Sequence, residues 1–72
     1  MEDIKKGLIR FAWRDQVERA NLAEADMMAT LKEMSGISKE QHEKAREDIG
    51  TYFTKERAEA RELYAGRLRQ LS

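Results

Sequence analysis

Glu24, Glu56 and His42 are the polar residues that fall on the otherwise apolar helical stripes of this chain. Interior carboxylates with a histidine on facing helices are the donor set of carboxylate-bridged metal sites in helix bundles. Those sites place a glutamate three residues before the histidine, and position 39 is lysine. In the hairpin expected below, Glu24 and Glu56 also stand about seven residues apart along the axis, or roughly 10 Å. They would converge only across a suitable oligomer. The plainer expectation is that each carboxylate sits half-exposed at a stripe edge or pairs with an arginine or Gln16. No metal or cofactor is expected.

His42 is the single histidine, expected near Leu31 on a partly exposed helix face. Alone it supports neither a nucleophilic triad nor a proton relay. The chain has no cysteine, hence no thiolate nucleophile and no disulfide. It contains no phosphate-binding glycine loop, no G-x-G-x-x-G run and no H-E-x-x-H motif. These absences favour a non-enzyme.

Two groups of residues have the composition of binding surfaces. Ile4, Leu8 and Phe11 lie off the main stripe of the first helix, among Lys6, Arg10 and Arg14. An aromatic residue set among arginines is typical of a protein-binding hot spot. These six residues are the expected partner-binding site, with the apolar three anchoring and the basic three steering. The same apolar face could instead be a dimer interface. Arg57, Arg61, Arg67 and Arg69 lie late in the second helix. Antiparallel folding brings them to the end of the hairpin that holds Lys5, Lys6, Arg10 and Arg14. Residues 1–19 and 57–72 carry nine bases and six acids, while residues 20–56 carry five bases and eight acids. That mild bipolarity suits phosphates or an acidic protein. It also suits a solvated surface whose cations complement the dipole at the second helix C-terminus.

The elements that must position these residues are legible around Met34–Gln41. Gly36 suits the left-handed position past a helix end. Ser38 followed by Gln41 matches a capping box. Apolar residues recur at helical spacing on both sides, and there is no proline. The reading is all-α: one antiparallel two-helix hairpin, with helix 1 at about 3–34, a turn at 35–38 and helix 2 at about 39–70. The helix 1 stripe is Ile9, Trp13, Val17, Ala20, Met27, Leu31 and Met34. In helix 2 it is Ala45, Ile49, Tyr52, Phe53, Ala60, Leu63, Tyr64 and Leu71. Folding at Gly36 sets positions summing to about 73 opposite each other, so that Trp13 meets Ala60, Ala20 meets Phe53 and Leu8 lies near Tyr64. Large then faces small in the first two pairs. Arg14–Glu18, Asp15–Arg19 and Glu40–Lys44 stand four apart, as helix-surface ion pairs do.

Seventy-two residues, 40% apolar and 39% charged with zero net charge, allow one small domain. A core of this size rarely supplies more than about 3–5 kcal/mol. Stripes on two helices cannot all be covered within one hairpin, which predicts association, most simply a homodimer forming a four-helix bundle. Zero net charge argues against a general polyanion binder. No run is long and apolar enough to cross a bilayer, and Glu2, Asp3 and Asp15 weaken a membrane-surface reading of the first fourteen residues. The opening residues lack the pattern of a secretory signal, so the cytoplasm is the expected location. The expected function is a small non-enzymatic module (adaptor, inhibitor or regulator) that binds a partner protein. The runner-up is a nucleic-acid-binding bundle using the open-end arginines. A carboxylate metal site across an oligomer ranks third.

Overall fold

Two 32-residue helices, α1 (Glu2–Glu33) and α2 (Lys39–Gln70), make up nearly the whole chain and pack against each other. The computed structural model describes residues 2–71. Among them there is no strand, and no helix is long and apolar enough to cross a membrane.

The reversal between the helices has the expected chemistry. Gly36 takes φ 87°, a conformation that costs an L-residue with a Cβ about 1–2 kcal/mol. The Ser38 hydroxyl accepts from the Gln41 backbone N–H at 3.1 Å, and the Gln41 side-chain oxygen accepts from the Ser38 N–H at 2.9 Å. Both halves of the capping box are therefore closed, satisfying two N–H groups that the first turn of α2 leaves without helical partners.

The molecule is one layer thick. Its Cα extents are 56 × 16 × 7 Å and its radius of gyration is 16.7 Å, against about 11 Å for a compact domain of this length. A single layer has one internal seam, and among the described residues only Leu31, Phe53 and Ala60 are buried along it.

Burial along that seam recurs every eleven residues. In α1, Lys6, Val17 and Met28 are half-buried at that interval, as are Ile9 and Ala20, which continue to buried Leu31. In α2 the same spacing links His42, Phe53 and Tyr64, and links Ile49, Ala60 and Leu71. Eleven residues complete three turns at about 3.67 per turn, close to the natural 3.6, so the seam stays in place on nearly straight helices.

The observed burial corrects the expected stripes at four positions. Met27, Tyr52 and Leu63 are roughly half exposed, beside a seam that runs through Met28, Phe53 and Tyr64, and half-exposed Met34 lies past the end of α1. The pairing of Leu8 with Tyr64 is also replaced. Leu8 is largely exposed, and the Tyr64 hydroxyl donates to Gln16 Oε1 at 2.8 Å. Side chains lean toward the N-terminus of their own helix, so this bond fits a register in which positions summing to about 73 are level. Trp13 lines a shallow groove with Thr54, Arg57, Ala58 and Arg61, the segment of α2 that contains Ala60.

Candidate interaction surfaces

At about 100° per residue, each helix presents the seam, two flanks and a back. The residues expected to carry function distribute over all of these.

The six residues expected to form one partner-binding site do not share a face. Ile4, Leu8 and Phe11 project from the back of α1, nearly opposite the seam, and are the exposed apolar residues of its first turns. Lys6 lies half-buried on the seam side, about half a turn from them, with Arg10 next to it around the helix. Arg14 borders the apolar three. Its Nε lies 3.2 Å from Glu18 Oε1, and it lines a shallow depression with Phe11, Asp15 and Glu18. A residue the sequence reading overlooked, Leu22, belongs with the apolar three. It stands eleven residues after Phe11, on the same face, and is 72% exposed.

A second surface is built by both helices. The side chains of Asn21 and Arg57 bond each other at 3.0 Å, and Ala25, Met28 and Lys32 share one shallow cavity with Arg46. These residues mark one flank of the hairpin. Met27 on α1, and Tyr52 and Leu63 on α2, lie about 100° or more around their helices from those markers. They therefore line the other flank together. Tyr52 is held edge-on against Phe53, ring centroids 5.0 Å apart, so a buried side chain braces an exposed aromatic ring. Asp48, Glu56 and Glu59 fall on this same flank, and none of them has an ion pair within 4 Å among the described residues.

The open-end arginines are partly engaged within the hairpin. Arg57 Nη1 donates to Asn21 Oδ1 at 3.0 Å and to Glu24 Oε1 at 3.1 Å. The Arg67 guanidinium lies 5.5 Å from the Tyr64 ring centroid, in cation–π geometry. Arg61 and Arg69 are exposed, but Arg67 and Arg69 lie on nearly opposite sides of α2, about 160° apart. The four thus form no single basic stripe.

The residues considered for metal chemistry also have structural partners. Glu24 is bound by Arg57. His42 Nε2 lies 3.3 Å from the Met34 carbonyl and shares a shallow cavity with Leu31, so it ties the start of α2 to the end of α1. Among the described residues no three His, Cys, Asp or Glu side chains converge as a metal would require. Of the expected surface ion pairs, Arg14–Glu18 and Asp15–Arg19 form at 3.2 and 3.1 Å, whereas Glu40 and Lys44 do not close.

Compared with known protein families, curated proteins and solved structures, the chain matches none.

Proposed function

We propose that this chain is a small non-enzymatic interaction module that completes its core on another protein. The observation that carries this reading is surface. The chain exposes 6070 Å², whereas a compact monomer of 8.4 kDa exposes about 4,600 Å² by the usual scaling. The surplus, about 1,500 Å², exceeds the roughly 800 Å² that one partner contributes to a standard protein interface.

The docking surface is the flank holding Met27, Tyr52 and Leu63. Both helices contribute to it, it runs about half the length of the hairpin, and a groove between parallel ridges accepts a third helix. Met27 adapts its shape to an incoming side chain, and Tyr52 supplies a preorganised aromatic anchor. On α2 that flank carries Asp48, Glu56 and Glu59, with Arg67 toward its end, so the matching partner is an amphipathic helix with apolar anchors and cations set opposite those three carboxylates. A phosphate-binding role has less behind it, since Arg57 and Arg67 are already engaged inside the hairpin.

Photo-crosslinking in producing cells tests this. A benzophenone amino acid replacing Tyr52 should yield a discrete adduct with another protein. The same group replacing Ala58, on the outer side of α2, should not. Equal labelling at both positions, or none at Tyr52, would sink the reading.

A further inference from the structure

The four most exposed large apolar side chains described in this chain are Leu22, Phe11, Ile4 and Leu8, between 64% and 72% exposed. All four fall within about 60° of arc on α1, on the side opposite the seam, so α2 can never cover them. They are also separate from the flank assigned to a partner.

Between Phe11 and Leu22 the stripe is interrupted by four charges. Arg14 pairs with Glu18 at 3.2 Å along one edge of the stripe, and Arg19 pairs with Asp15 at 3.1 Å along the other. We infer that this stripe is a self-association surface, on which α1 of a second copy lies antiparallel about a two-fold axis passing between Gln16 and Val17.

The register follows from the residues. Position n of one copy then faces position 33 − n of the other. Phe11 meets Leu22 of the second copy, and the reverse contact repeats it, as an isologous interface requires. Ile4 meets Ala29, large against small. The depression lined by Phe11, Arg14, Asp15 and Glu18, of about 290 Å³, is where the incoming leucine sits.

Charge complements the same register. In an antiparallel pair, equivalent edges of the two stripes lie on the same side. Arg14 therefore comes level with Glu18 of the second copy, and Asp15 with Arg19, each within one residue or about 1.5 Å along the axis. Each pair within a chain becomes half of a four-membered ring of alternating charge on its edge. A parallel arrangement would set Asp26 and Glu33, which share the stripe, against their own copies. The antiparallel one separates each from its own copy and brings Asp26 level with Gly7 of the second copy. The product is a flat layer in the order α2–α1–α1–α2 rather than a closed four-helix bundle.

Light scattering across a concentration series, with circular dichroism as a folding control, tests the surface. Wild type should be a dimer. Leu22→Glu and Phe11→Glu should raise the dissociation constant about 100-fold or more while keeping full helicity, because neither touches the seam. Tyr52→Glu should stay dimeric. A wild type that remains monomeric, or dimers indifferent to both stripe substitutions, would overturn the proposal. Orientation is read with cysteine variants, which are clean in a chain without cysteine. Under mild oxidation, a mixture of F11C and L22C should give the mixed disulfide. Homodisulfides from each variant alone, with no mixed product, would overturn the antiparallel arrangement.

Discussion

Arg57 spans the seam to Glu24, Nη1 to Oε1 at 3.1 Å, and is the sole ion pair joining α1 to α2 among the described residues. Its side chains are 31% and 25% exposed, so water screens the pair less than it does the surface pairs of α1. The same nitrogen also donates to Asn21, which fixes the rotation of α2 against α1 as well as its level.

Arg57→Met should cost about 1–2 kcal/mol, because it leaves the half-buried Glu24 carboxylate without its donor. Replacing both residues, Arg57→Met with Glu24→Leu, should recover most of that loss. Urea denaturation of the two single variants and the double variant measures the coupling. Strict additivity would mean that the pair contributes nothing beyond its separate side chains.

Phe53 is the largest buried side chain of the seam and Ala60 the smallest. Truncating the ring in Phe53→Ala should cost about 3 kcal/mol, most of what a core of this size supplies. Ala60→Leu should destabilise as well, by about 1–3 kcal/mol, since the helices meet closely there. Thermal unfolding followed by circular dichroism at fixed concentration reads both. An unchanged melting temperature in either variant would show that the seam lies elsewhere.

The turn tolerates less than its exposure suggests. Ser38→Ala removes the acceptor for the Gln41 N–H and should cost about 1 kcal/mol. Gly36→Ala should cost about 1–2 kcal/mol because φ is 87° there, even though nothing lies within 4 Å of an added Cβ. Gly36→Asn should fall between wild type and alanine, since asparagine tolerates the left-handed region better. That ordering, measured by chemical denaturation, separates a backbone effect from a packing effect.

The turn was fully legible in the sequence because its chemistry is local. Gly36, Ser38 and Gln41 act on backbone groups within three residues of themselves, and no tertiary contact competes. The flanks were less legible. Whether Met27 or Met28 enters the seam depends on how far the stripe drifts over successive turns, and neighbouring positions differ by about 100°. Collecting apolar residues by approximate spacing takes in Met27, Tyr52 and Leu63, which lie beside the buried line rather than on it. Leu22 escaped notice because it stands alone among polar neighbours, and its signal was the eleven-residue step from Phe11. The arginines at 57 and 67 looked free because sequence gives charge but not partners.

Met27 and Met28 turn the assignment of the seam into a direct test. Met28 is half-buried at the eleven-residue interval shared with Lys6 and Val17, and it lines the cavity that holds His42 and Leu31. Met27 is 49% exposed on the opposite flank. Met28→Glu places a carboxylate against the seam and should destabilise the hairpin by about 2 kcal/mol. Met27→Glu should change stability by no more than about 0.5 kcal/mol, as surface substitutions do, yet it should weaken the crosslink formed from position 52. Denaturation midpoints for the two variants, with crosslink yield alongside, check both statements. If Met27→Glu were the more destabilising, the seam would run along the heptad-like stripe through Met27 and Met34, and the docking flank would move to the Met28 side.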